Sequence, residues 1–322
     1  MNGNIHIVKG KHLKGNVNTD FNGVVGQKSV TNKLSFFMET HSKSTPVPTM
    51  IFTGSHGLGK TYIASKMAKG MGRKYVEVNC GSIKTEKDFL YNILINRVVG
   101  DEPVTILMDE SHELSQDITT LLLTLLNPNK SMENSIYIDG WNLIYNMSNI
   151  NIIFATTDAH KMFKPLLNRC ERIYFESYNE NDLLQMVYMY SPSVTFKCDK
   201  KELALACRGR GRDAFNLSQK INRYVMSKNN GDGGFLEEDW SYLKDVFEIF
   251  PMGLNKQEVQ LLDIINKHEP ISCNNIALSM MINSENVESE IEIRPRELGL
   301  IASTTRGRVL TGKGKKYMEG IE

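Results

Sequence analysis

The sequence predicts an α/β chain: a parallel sheet carrying a phosphate-binding loop, then a small helical domain, then a winged-helix domain. Three observations predict it. A glycine-rich loop ending in Lys-Thr lies between an apolar strand and an amphipathic helix. Two further apolar runs each end in polar residues suited to the carboxyl edge of that sheet. The last third of the chain reads as short helices followed by a basic, alternating hairpin.

The loop is "FTGSHGLGKT", Phe52 to Thr61. Gly54, Gly59, Lys60 and Thr61 have the phosphate-loop spacing, with Gly57 between them. Glycines let the backbone curl and aim its N–H groups at phosphate oxygens. The lysine places a charge on the β and γ phosphates, and the threonine hydroxyl helps hold Mg²⁺. "PTMIFTG" before the loop is apolar and β-prone. "KTYIASKMAKGMG" after it sets Ile63, Met67 and Met71 at helical spacing and stops at Gly70 and Gly72. The order strand, loop, helix is the context the motif requires, and Tyr62 joins the candidate nucleotide-binding residues.

The partner of the loop is "VTILMDESHEL". Val104 to Met108 is a buried strand ending in Asp109 and Glu110. Such a strand delivers both acids to the sheet edge beside the loop. There Asp109 can complete the Mg²⁺ shell, and Glu110 can orient or deprotonate an attacking water. A third strand, Ile150 to Ala155, ends in Thr156-Thr157, whose hydroxyls can reach a γ-phosphate or the water. Arg169 and Arg172 precede a fourth strand, Ile173 to Phe175; an arginine there is either a surface charge or a finger for a neighbouring subunit. Between the second and third strands, 134–149 reads as a hairpin with Asp139-Gly140 as its turn. Ile136, Ile138, Leu143 and Ile144 can pack. The hairpin either docks a partner, with Trp141 as anchor, or only packs.

Past the sheet, helical periodicity runs from Asn179 to about Ile249, broken by the glycine-rich Asn229 to Gly234. From Leu254 three helices follow, the last ended or kinked by Pro295. The stretch "LIASTTRGRVLTGK" alternates as a hairpin with Arg306, Gly307 and Arg308 at its tip. From Arg294 to Glu322 there are seven Lys/Arg against three Glu, which suits contact with a phosphate backbone. Arg306 and Arg308 are the expected contacts. The preceding helix, with Glu285, Glu288, Glu290 and Glu292, is a poor groove reader, so no base specificity is expected. Domain boundaries fall at 1–177 (with 1–19 an N-terminal extension), 178–250 and 251–322.

Composition bounds the rest. The chain has 322 residues, enough for two or three domains. Its 38 Lys+Arg against 37 Asp+Glu give no whole-chain signal for nucleic acid, so local clusters must decide. The five cysteines are scattered without a C-x-x-C pair, which predicts neither a disulfide framework nor a zinc site. No 18-residue apolar run marks a membrane span, and the polar N-terminus is no signal peptide; a cytoplasmic setting is expected.

The ordered set "GLGKT", "DESHEL", "FATTD", "PLLNRCERI" and "CRGRGRDAFN" resembles AAA+ ATPases. "DFNGVVGQKSVTNKL" (Asp20 to Leu34) is similar to their N-terminal box. "LGLIASTTRGRVLTGKGKKYM" (Leu298 to Met318) resembles the winged helix of the RuvB family of Holliday-junction branch-migration motors. The resemblance covers nearly the whole chain from about Asp20. It implies an AAA+ core with a helical lid, and that Gly54, Gly59, Lys60 and Thr61 cradle ATP and Mg²⁺. It also implies that Asp109 and Glu110 are the Walker B pair. Thr157 matches the γ-phosphate sensor, Arg169 the finger presented to the adjacent subunit, and Arg212 the lid arginine reading its own subunit's nucleotide. Two departures stand out. Ser55-His56 replace the family's usual proline pair, and the Arg-Pro before the N-terminal box is absent, so adenine contacts are not carried over.

The expected function is ATP-driven movement on duplex or branched DNA by a homo-oligomeric ring, a hexamer. A RuvA-like junction-binding partner would dock on 134–149. Lys84 and Lys87 are either loops gripping the duplex inside the ring or solvated helix-end charges. Two alternatives stay open: a clamp or helicase loader, since "LLNRC" also resembles the finger motif of clamp loaders, and an ATP-gated, non-enzymatic DNA scaffold, against which the intact Glu110 argues.

Overall fold

The structure is a computed structural model. It describes residues 21–42, 45–98, 102–127, 133–138, 141–229 and 233–320. The extension 1–19 and the Asp139-Gly140 turn lie outside the described residues. The chain divides into two compact units, Met1–Tyr178 and Asn179–Glu322.

The first unit is built on a five-stranded, all-parallel sheet. Its strands are β1 (Met50–Thr53), β2 (Lys74–Asn79), β3 (Val104–Asp109), β6 (Ile150–Thr156) and β7 (Glu171–Tyr174), in the order β2-β3-β6-β1-β7. The central strands read as unbroken apolar runs because helices cover both sheet faces; Ile106, Leu107, Met108, Ile153 and Phe154 are fully buried. β2 is an edge strand whose burial alternates, and sequence reasoning missed it. Register aligns the carboxyl ends: Thr53 lies opposite Thr156, and Asn79 opposite Asp109. In open parallel sheets, ligands bind outside those ends. The hairpin forms as β4 (Glu133–Ile138) and β5 (Trp141–Asn146), with Ile136 paired to Leu143. Both residues are buried in the core beneath the sheet, and Tyr137 is exposed.

In the second unit the four expected helices are Glu180–Tyr190, Lys200–Ala206, Gly211–Asn229 and Glu237–Val246. A short parallel pair not foreseen in the sequence, β8 (Val194–Lys197) with β9 (Gly233–Leu236), joins them, and Phe235 and Trp240 fill the interior. The C-terminal part has its own apolar core, built around Leu261, Ile265, Ile276, Val287 and Leu300. Its helices Lys256–His268 and Cys273–Met280 are followed by a broken third one: a turn at Ser284–Asn286, a π-helical turn at Val287–Ile291 and a short helix Ile293–Glu297. Pro295 lies inside that last helix and does not end it. The wing is β10 (Ile301–Thr304) paired with β11 (Gly307–Leu310), and a further helix, Gly312–Glu319, closes the chain.

The two parts of the second unit meet at a polar seam. Arg208 donates to both carboxylate oxygens of Glu258, Nη1 to Oε2 at 2.9 Å and Nη2 to Oε1 at 2.5 Å, and also to the Gly253 carbonyl at 3.1 Å. Glu258 is buried and caps its own helix by accepting from Asn255 N at 2.8 Å. Gly253 has φ +72°, and a β-carbon there would stand 2.2 Å from the Leu205 carbonyl oxygen. Only glycine lets the two backbones approach this closely.

Candidate nucleotide site

The loop between β1 and the helix Lys60–Gly70 curls as its glycines predict. Gly54, Gly57 and Gly59 have φ of +147°, +76° and +88°. A β-carbon on Gly54 would lie 2.7 Å from the Phe175 carbonyl oxygen, so no larger residue fits. The helix carries no acidic residue in its first turn, which leaves its N-terminal N–H groups and dipole to an anion. Lys60 is buried and arches over the loop, donating to the carbonyls of Gly54 at 2.6 Å and Ser55 at 2.9 Å. Thr61 begins the helix next to it, and half-exposed Tyr62 turns its ring toward the Lys66 ammonium. Tyr178, which sequence reasoning missed, braces the loop from behind, donating to the Leu58 carbonyl at 2.8 Å. Its only sequence signal is an aromatic residue just past the fourth strand. Gln27 of the N-terminal box clamps the strand's exit, donating to Glu176 O at 2.6 Å and accepting from Glu176 N at 3.3 Å.

β3 delivers the acids. Asp109 Oδ1 accepts from Glu110 N at 3.1 Å. Glu110 itself is left-handed, φ 50° and ψ 46°, a conformation that costs a non-glycine residue energy and clusters at functional sites. Ser111 ties this turn to β6, donating to the Ala155 carbonyl at 3.0 Å. Glu110 lies between two imidazoles: His56 Nδ1 is 3.5 Å from its Oε1, and His112 Nδ1 is 3.5 Å from its Oε2. His112 also meets the buried Thr156 hydroxyl at 3.0 Å, and Thr156 accepts from Asp158 N at 2.9 Å. Neither histidine stood among the expected site residues; His112 was visible only as the last letter of "DESH". Burial, reinforced by the charges of Asp109 and Glu110, pushes the Cys80 thiol well above its usual range. The sheet edge is therefore a pocket of negative potential facing a loop of N–H donors and one buried ammonium. That donor set fits a nucleotide triphosphate carried with a hard, oxygen-seeking cation.

The structure thus brings Gly54, Gly57, Gly59, Lys60, Thr61, Asp109 and Glu110 to one sheet edge, with half-buried Thr157 one residue past β6. Arg169 is elsewhere in the unit. It is exposed in the turn before β7, and its guanidinium donates to the Leu123 carbonyl at the end of the helix Gln116–Leu125. Lys84 and Lys87 are exposed beyond β2. Arg212, in the second unit, is exposed at the second residue of the helix Gly211–Asn229.

The wing departs from expectation. Arg308 is on β11, not at the tip, and is engaged with acids: Nε donates to Glu292 Oε1 at 2.6 Å and Nη2 to Glu288 Oε1 at 2.6 Å. Glu292 is fully buried and also accepts from Arg296 at 2.5 Å. Lys315 pairs with Glu269 at 2.6 Å, and Lys313 donates to the Leu298 carbonyl at 2.8 Å. Arg306 is exposed at the turn, where Thr304 holds the backbone by donating to Gly307 O at 2.8 Å. Of the cations counted along the stretch, Arg296 and Arg308 pair with Glu288 and Glu292 just before it, Arg294 with Glu297 inside it and Lys315 with the more distant Glu269.

The family model "ATPase family associated with various cellular activities (AAA)" matches residues 50–178, and the "RuvB C-terminal winged helix domain" matches 251–319. Residues 50–178 thus form an AAA ATPase domain, the nucleotide-binding and ATP-hydrolysing part of the chain. Within that class the chain resembles RuvB along most of its length. It is 26% identical over 313 residues to the Holliday junction branch migration complex subunit RuvB of Prochlorococcus marinus (strain MIT 9515), covering 93% of this chain and 86% of that protein. It is 25% identical over 316 residues to RuvB of Mycoplasmopsis synoviae (strain 53), covering 93% and 96%. The Thermotoga maritima RuvB Holliday junction branch migration motor shares its fold, with a TM-score of 0.73 at 19% identity over 92% of this chain and 95% of that one. No helix among the described residues is long and apolar enough to cross a membrane.

Proposed function

We propose that this chain is an ATP-driven ring motor acting on branched duplex DNA, as the names of its RuvB relatives suggest. The observation that carries the reading is the union, in one chain, of an intact AAA site with a RuvB-type winged helix. In this reading Gly54, Gly57, Gly59 and Lys60 hold the phosphates, and Tyr62 borders the nucleotide. Thr61 and Asp109 hold Mg²⁺, which neutralises charge on the transferring phosphoryl group. Glu110 aims the attacking water and takes its proton. Thr157 senses the γ-phosphate, and Arg212 reports from the lid. Arg169 is exposed, as a residue serving a neighbouring subunit must be, and we assign it the finger role; a ring, six subunits in the reading we favour, follows from that assignment. Contact with the DNA backbone falls to Arg306 alone of the two wing arginines, since Arg308 is bound to acids, with Lys84 and Lys87 as further candidates. The hairpin 134–149 is the surface we assign to a junction-binding partner, with Tyr137 exposed on it. The expected setting is cytoplasmic.

Two assays with the purified protein test this. ATP turnover should rise when branched DNA is added, and a labelled four-way junction should be separated into duplex arms in the presence of ATP. Turnover without strand separation, together with ATP-dependent loading of a ring-shaped protein onto DNA, would make the chain a loader. Absence of turnover would leave a scaffold.

A further inference from the structure

Glu110 stands in a line of side chains that runs across the site: His56 at the crest of the phosphate loop, then Glu110, then His112, then Thr156 at the end of β6. His112 is largely buried and belongs to the sheet. His56 is different, because its side chain is 64% exposed and carries no packing duty. Its imidazole nonetheless points at the carboxylate across the cleft where phosphates would enter. A glutamate has three side-chain torsions, and the left-handed backbone at Glu110 does not fix them. The buried Oε2 has no hydrogen-bond partner, and His56 approaches Oε1 from across the cleft.

We propose that His56 is a positioning residue that steers the Glu110 carboxylate toward the nucleotide. The inference rests on the assignment of Glu110 as the group that aims the water. His112 stands 3.5 Å from the buried Oε2 without hydrogen-bonding it, its Nδ1 being engaged with Thr156. The imidazole of His56, 3.5 Å from Oε1, is therefore the side chain placed to set the carboxylate's direction from the loop side. Orientation matters at this step because a misplacement of about 1 Å can cost on the order of 10²-fold in rate.

The test is a set of variants, His56→Ala, His56→Gln, Glu110→Gln and the double variant His56→Ala/Glu110→Gln. Each is assayed for kcat, KM and, in EDTA, for affinity toward a fluorescent mant-ATP. His56→Ala should lower kcat by about tenfold, a loosened rather than lost orientation. Its mant-ATP affinity should stay within about twofold, because no phosphate ligand has been removed. His56→Gln, whose amide can donate, should recover much of the loss. In the Glu110→Gln background His56→Ala should change residual turnover no further. An unchanged kcat in His56→Ala while Glu110→Gln is inactive overturns the proposal alone. So does an equal loss in both backgrounds, or a loss confined to mant-ATP affinity, which would make His56 a phosphate ligand. Normal turnover by Glu110→Gln removes the assignment beneath the proposal, and the proposal with it.

Discussion

Replacing Arg208 by methionine should cost the second unit much of its stability. The guanidinium makes two hydrogen bonds to Glu258 and one to Gly253. Glu258 is 1% exposed, so its carboxylate cannot be rehydrated in place. Removing one partner of a buried pair leaves an uncompensated charge and typically costs about 3–5 kcal/mol. Asn255 N still donates to Glu258, which favours the lower end, about 3 kcal/mol. At roughly 2–4 °C per kcal/mol for a unit of this size, that is a fall of about 10 °C in its unfolding midpoint. The buried Trp240 lies in this unit and Trp141 in the other. Fluorescence-detected urea unfolding in a Trp141→Phe background therefore follows the second unit directly. The pair should be strongly coupled. Arg208→Met with Glu258→Met should be far more stable than Arg208→Met alone, because no orphaned charge remains. A loss below about 1 kcal/mol, the range of exposed pairs, or additive losses in the double variant would refute the argument.

Three further predictions concern activity. Lys60→Ala should abolish mant-ATP binding, while Glu110→Gln should bind normally and lose turnover; normal hydrolysis by Glu110→Gln would undo the Walker B assignment. Arg306→Ala should flatten the log–log salt dependence of DNA binding by about 0.9 per lost phosphate contact. Arg308→Ala should leave that slope unchanged and instead destabilise the wing by about 2 kcal/mol as Glu292 loses its bonds; a reversed pattern would mean that Arg308 meets DNA. Lys60→Ala and Arg169→Ala should each be nearly inactive, yet regain ATPase when mixed under subunit exchange, since an arginine finger is worth about 10³–10⁵ in rate. If mixed rings form and no activity returns, the shared site is excluded.

Some of this molecule could be read from its letters and some could not. β1, β3 and β6 announced themselves because a parallel strand buried on both faces is an unbroken apolar run, and the residues ending those runs are the ones the sheet brings together. β2 escaped because an edge strand, "KYVEVN", alternates like an exposed segment. β8 and β9 escaped because 35 residues separate the ends of their pairing, Lys197 and Gly233, and short strands have little local signature. Arg308 was placed at the wing's tip rather than on β11, and its partners went uncounted for a simple reason. The charge tally opened at Arg294, and its two acids, Glu288 and Glu292, stand just outside. His56 was noticed as a departure from a proline, but that it faces Glu110, 54 positions further along, is knowledge only the folded sheet contains.

The seam at Arg208 and Gly253 also decides how the chain can be divided. A cut at Phe250, where the amino-acid pattern changes and a boundary looks natural, would release a fragment whose Glu258 has lost the guanidinium that pairs with it. The same cut would strip the Leu205 backbone from Gly253 and leave that surface bare. The fragment that keeps every buried charge matched begins at Asn179, so the winged helix and the helices before it should be expressed, crystallised and exchanged between relatives as a single module.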